Sequence, residues 1–151
     1  MLTARATAVR EATGPMPAAG HIEGQHMPDS ISHTITLTAA TFDAEIARHP
    51  GLAIVDFSAS WCAPCRAIAP ILERIAVERA DVVKVATLDM DADPRVAAYF
   101  GVRAAPTLLF FKDGTLVARI VGAVPRTRIE AVIDAHARSN DADRMHTSDR
   151  M

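Results

Sequence analysis

Two cysteines are all this chain has, and they stand three positions apart at Cys62 and Cys65. A thiol pair at that spacing can exchange two electrons with a disulfide. One sulfur attacks, and the other resolves the mixed disulfide that forms. The attacking species is the thiolate, so the chemistry needs a place where a sulfur anion is stable. The start of a helix is such a place, because its first N–H groups are unpaired and carry partial positive charge. Two other readings compete. Free cysteines often serve only as small apolar core residues. Cysteines also bind zinc, but two sulfurs fall short of the four ligands of a structural site.

The elements around the pair weigh these readings. Leu52 to Phe57 is apolar except for Asp56 and reads as a strand covered on both faces. From Ala63 to Arg79, Ile68, Ile71, Leu72 and Ile75 fall at helical spacing, with Glu73, Arg74, Glu78 and Arg79 on the opposite face. Cys62 therefore sits at the mouth of this helix. Cys65 lies in its first turn, close enough to close a small disulfide ring. Pro64 costs little so early in a helix and stiffens the loop. Pro70 lies deeper, where it predicts a kink. A Cys-x-x-Cys at a strand-to-helix junction in an αβ pattern is a redox signature.

The rest of the chain supplies that pattern. His33–Leu37 and Val82–Leu88 read as strands, and Thr41–His49 and Pro94–Phe100 as short helices. Asp113-Gly114 separates Thr107–Phe111 from Thr115–Val121, a strong signal for a two-residue hairpin. Ile129, Val132, Ile133 and His136 mark a last helix. Strands alternating with helices imply an α/β domain with a mixed sheet and helices on both faces. Its boundaries are set at 31–138. Residues 1–30, punctuated by Gly14, Pro15, Pro17, Gly20, Gly24 and Pro28, read as a flexible extension, and residues 139–151 as a flexible polar tail.

Composition excludes several classes. The 151 residues carry a formal charge of −2, with acids and bases interspersed, so nothing suggests a nucleic-acid partner. The apolar runs are too short to span a bilayer. Arg5 and Arg10 are not followed by the apolar stretch of a secretory signal. With so few cysteines, this points to a reducing, cytoplasmic compartment. His21, His26 and His33 crowd the N-terminus without a metal-ligand spacing, so no metal is expected. No association helix stands out, and a monomer is expected.

Several separated motifs together resemble the thioredoxin family. They are Val55-Asp56-Phe57, Trp61-Cys62-Ala63-Pro64-Cys65-Arg66, Pro70, Ala105-Pro106-Thr107 and Val121-Gly122. The likeness covers roughly residues 33 to 137 and implies a thioredoxin fold. A lone carboxylate such as Asp56 in an apolar strand should have a raised pKa and could move a proton near neutral pH, or be a structural group held by hydrogen bonds. The resemblance favours the first, with Asp56 behind Cys65 as its proton acceptor. Pro106 reads in general as a trans proline at a strand start, whereas the family's matching proline is cis and faces the dithiol. There, Ala105 and Pro106 would present backbone to a client peptide. Trp61, Ala63, Pro64 and Gly122 would complete the client-binding surface. For Trp61 the general alternative is core packing, for Gly122 a turn, and for Arg66 a solvated surface charge.

Three positions depart from the family's pattern. Ala63 stands where many members have glycine, and Ser58 where an aromatic is common. Thr87 stands where many have a lysine near the buried aspartate, the nearest lysine here being Lys84. Asp56 would then lack a cationic partner. The resemblance implies reduction of disulfides in client proteins, with no cofactor bound. Reducing equivalents would come from NADPH through a flavoprotein thioredoxin reductase. Two alternatives are a protein that forms or isomerises disulfides, against which the missing export signal argues, and a non-catalytic binding module, against which the intact pair argues.

Overall fold

The computed structural model describes the backbone of residues 32–148 and the side chains of residues 32–137. The extension expected at 1–30 and residues 149–151 lie outside the described residues. Five strands form one mixed sheet: β1 (Ile35–Leu37), β2 (Leu52–Ser58), β3 (Val83–Asp89), β4 (Thr107–Lys112) and β5 (Thr115–Val121). Their order is β1-β3-β2-β4-β5. β1, β3 and β2 run parallel, while β4 and β5 pair antiparallel. β2 therefore lies at the centre, which is why it reads as an unbroken apolar run. All its residues but Ser58 are buried.

The strands' two faces carry two separate cores. Leu52, Ile54, Val83, Val85, Leu108 and Phe110 face Ile68, Leu72 and Ile75 of α2 (Ala63–Glu78) and Ile129 and Ile133 of α4 (Arg126–Ser148). Ala53, Val55, Phe57, Ala86, Leu88, Leu109 and Phe111 face the other way. They pack with Ile46 and Phe42 of the α1 region (Ala39–Phe42, continuing as a π-helix over Asp43–Ala47) and with Ala97 of α3 (Pro94–Tyr99). The helices on both faces match the expected α/β architecture.

Three elements depart from the sequence reading. β1 begins at Ile35 rather than His33, because the N–H groups of His33 and Thr34 are donated to the Glu73 carboxylate on α2 instead of to a strand. The helix expected at Thr41–His49 starts at Ala39 and widens to π geometry. α4 continues through residues 137–148, over most of the segment assigned to the tail.

The hairpin turn forms as expected. Asp113 and Gly114 both have positive φ, 50° and 83°, as a two-residue turn of this twist requires. Glycine is needed at 114 for a second reason: a Cβ there would stand 2.1 Å from the Ala47 carbonyl oxygen. The hairpin tip thus rests on the π-helix at the end of the sheet away from the cysteines.

Candidate active site

β2 ends at Ser58, and four residues later Cys62 caps α2. Cys62 is extended (φ −91°, ψ 107°) and accepts a hydrogen bond from the Cys65 N–H at 3.2 Å on its Sγ. A sulfur here does what a serine or aspartate oxygen does at other N-caps. α2 is 16 residues long and has no acidic residue in its first turn. No carboxylate therefore competes for the positive end of the helix. Pro64 sits in that first turn, where its missing N–H costs no helical bond. Pro70 lies inside the helix, and the Arg66 carbonyl loses its usual donor there. Cys62 and Cys65 form a disulfide, with their Cα atoms 5.3 Å apart. Both are buried, Ala59 lies with them, and Ala105 packs against the group.

Asp56 lies on the face of β2 that carries Leu52 and Ile54, the face covered by α2. It is 3 % exposed, and its Oδ1 has no hydrogen-bond partner among the described residues. Burial pushes its carboxyl up from 3.8 to about 7. Thr87 is its register partner on β3 and lies on the same face as Val83 and Val85. Its hydroxyl donates to the Asp56 backbone carbonyl at 3.3 Å, so it brings no charge to the carboxylate. Lys84 alternates to the other face of β3, where its Nζ bonds Glu45 Oε2 at 2.5 Å. The expectation that Asp56 lacks a cationic partner thus has a geometric basis.

The Ala105–Pro106 peptide is cis, and Pro106 is buried. The loop is held at both ends. Thr107 Oγ1 donates to the Ala104 carbonyl at 2.7 Å, and the Gly122 N–H donates to the Pro106 carbonyl at 2.8 Å. Gly122 has φ +92°, a conformation that favours glycine, so this close approach depends on it. Gly122 thus ties the end of β5 to the proline.

Trp61 is not a core residue: it is 67 % exposed, and its indole N–H donates to Asp91 Oδ2 at 2.8 Å. Asp91 escaped the sequence reading. Its N–H is bonded to Asp89 Oδ1 at 2.8 Å, a local turn for which the Asp-x-Asp spacing after β3 was the available signal. Ala63 and Pro64 are exposed beside Trp61. The Arg66 guanidinium donates to the Ser60 carbonyl at 3.2 Å. Cavities of about 430 and 440 Å³ lie elsewhere, and neither is lined by a cysteine. The disulfide itself is buried, and the exposed surface beside it is that of Trp61, Ala63 and Pro64. No group of three or more metal-ligating side chains occurs among the described residues.

A disulfide that closes across the first turn of a helix, beside an exposed platform, can exchange electrons with disulfides on large partners. Fold and site together define a thiol–disulfide oxidoreductase. The family model described as Thioredoxin matches residues 33–135. Thioredoxin 1 of Synechococcus elongatus is 42% identical over 106 residues, covering 70% of this chain and 99% of that protein. Thioredoxin of Listeria monocytogenes is 42% identical over 100 residues, covering 66% and 95%. Thioredoxin of Mycobacterium bovis is 49% identical over 92 residues, covering 61% and 79%. The chain belongs to the thioredoxin family, and its activity is that of a protein-disulfide reductase with a Cys-x-x-Cys redox pair. Among the described residues, no helix is long and apolar enough to cross a membrane.

Proposed function

We propose that reduced Cys62 is the attacking thiolate and Cys65 the resolving one. Cys62 Sγ bonds to one sulfur of a client disulfide, and the other client sulfur leaves as a thiolate. Cys65 Sγ then attacks Cys62 Sγ, the mixed disulfide breaks, and the client departs as a dithiol. Two electrons pass to the client, and the Cys62–Cys65 disulfide closes. The observation that carries this order is the Cys65 N–H aimed at Cys62 Sγ at the acid-free mouth of α2. It favours the anion on Cys62 over that on Cys65.

Asp56 acts as a positioning base behind the pair and accepts the Cys65 proton, directly or through water. A carboxyl raised to about 7 suits that exchange near neutral pH. Trp61, Ala63, Pro64, Ala105, Pro106 and Gly122 form the client platform, with main chain at Ala105 available to a client strand. The protein acts as a cytoplasmic monomer and binds no cofactor. A flavoprotein thioredoxin reductase, spending NADPH, restores the dithiol.

The test is NADPH consumption by the full chain with such a reductase and a disulfide-bonded protein client. Cys62→Ser is expected to abolish turnover. Cys65→Ser is expected to stop after one stoichiometric mixed disulfide on Cys62, visible by mass spectrometry. Continued turnover by Cys65→Ser, or a mixed disulfide on Cys65 in Cys62→Ser, refutes the assignment.

A further inference from the structure

The exchange above leaves one neighbouring feature unused. A groove of about 180 Å³ runs between α2 and the link from β5 to α4. One wall is Ala67, Ile68 and Ile71, and the other is Ala123, Val124 and Pro125. Every lining side chain is apolar. Ala67 and Ile71 are one helical turn apart, on the flank of the buried row Cys65, Ile68 and Leu72. Unlike that row, the groove is open to solvent. Ala67, Ala123 and Pro125 are exposed, and Ile71 and Val124 are half-buried.

The groove begins where the dithiol site ends. Ala67 follows Cys65 by two residues. Ala123 directly follows Gly122, whose N–H is bonded to the Pro106 carbonyl. Both walls therefore start within two residues of groups that bound the dithiol site. The charges beside it in sequence already have partners: Arg66 bonds the Ser60 carbonyl, and Arg126 bonds Glu78 and Glu130. With no lining donor or acceptor side chain, the groove cannot repay the desolvation of a polar group. An apolar side chain loses nothing there and sheds its own contact with water.

We propose that this groove is a specificity subsite that takes one branched aliphatic or aromatic side chain of the client, close in sequence to the attacked cysteine. The assignment rests on the reading of Cys62 as the attacking sulfur. Clients are then disulfides flanked by an apolar residue on the side that runs over α2.

The experiment uses the full chain and a series of disulfide peptides identical except at one position, scanned along either side of the cysteine. Leucine in place of alanine is expected to raise kcat/KM about tenfold at one position, the scale on which apolar pockets discriminate. Aspartate there should lower it. The leucine-to-alanine ratio is then measured in Ala67→Glu and, on the opposite wall, Val124→Asp. It is expected to fall to near unity in both, and a lysine peptide should gain on Ala67→Glu. Equal rates for alanine and leucine at every position overturn the proposal, as does a ratio that survives both substitutions. A dimer in sedimentation that Ala67→Glu converts to monomer also overturns it, giving the groove to a second copy. If the wild-type chain reduces none of the peptides, it is the underlying exchange reading that fails.

Discussion

Asp56→Asn should change how stability depends on pH, and the size follows from burial. The side chain sits in the core with one oxygen unpaired, and its carboxyl is raised from 3.8 to about 7. Below about pH 4, folded and unfolded chains both hold the proton. Between about 4 and 7, the folded chain keeps a proton that the unfolded chain has released, so unfolding becomes easier as pH rises. Above about 7 both are ionised, and the folded state carries a buried charge with no cation beside it. At about 1.4 kcal/mol for each pH unit, the wild-type chain loses about 4 kcal/mol across this window. That is a large share of a domain's total, about 5–15 kcal/mol. Asparagine is neutral throughout and close in shape to the protonated acid. The assay is urea unfolding of the oxidised proteins from pH 4 to 8. The variant is expected to gain on the wild type steadily from about pH 4 and to lead by about 3–5 kcal/mol at pH 8. His49, whose pKa burial lowers, slopes the other way in both proteins and cancels in the difference. Parallel curves for the two proteins refute the reasoning, because Asp56 would then titrate as it does unfolded.

Thr87→Lys would place an ammonium beside Asp56 on the same sheet face. It should lower the Asp56 pKa by about one to three pH units, read by NMR titration of the carboxyl carbon. An unmoved titration means that the new cation does not reach the carboxylate. Gly114→Ala should cost about 2 kcal/mol or more in urea unfolding, since strain at φ +83° adds to a contact 2.1 Å from the Ala47 oxygen. Gly51→Ala is the control: its φ is +96° but nothing lies within 4 Å of the new Cβ, so about 1 kcal/mol is expected. Equal losses at the two positions refute the steric part of the argument.

The parts of the fold that were legible are those whose signals are local. The unbroken apolar run of β2, the helical spacing from Ile68 to Ile75, the proline that opens α3 and the Asp113-Gly114 turn each dictate their element within a few residues. The strand order was not legible, because which strand lies beside β2 depends on contacts far apart in sequence. The π-helix at Asp43–Ala47 was not legible either. Its last residue meets the tip of a hairpin more than sixty residues later, and nothing near Ala47 announces that. α4 runs past its expected end, which its apolar stripe, stopping near Ile133, does not signal.

The same division holds at the site. Cys62, Cys65 and Pro64 act through their place in one helical turn, so spacing alone pointed to their chemistry. Asp56 is legible as a misfit, a charge in an apolar strand, but its consequence is set by what stands opposite. That is Thr87, thirty-one residues away and uncharged. Trp61 is legible as a neighbour of the pair, whereas Asp91, which fixes the indole, reaches it only because β3 lies beside β2. The groove is the extreme case: its walls are more than fifty residues apart, and each is an unremarked run of small apolar side chains. The reaction is therefore encoded in a short segment that relatives can share. The proton affinity of Asp56 is set by residues that meet only in the folded chain, and such pairs are where members of the family with one chemistry can differ.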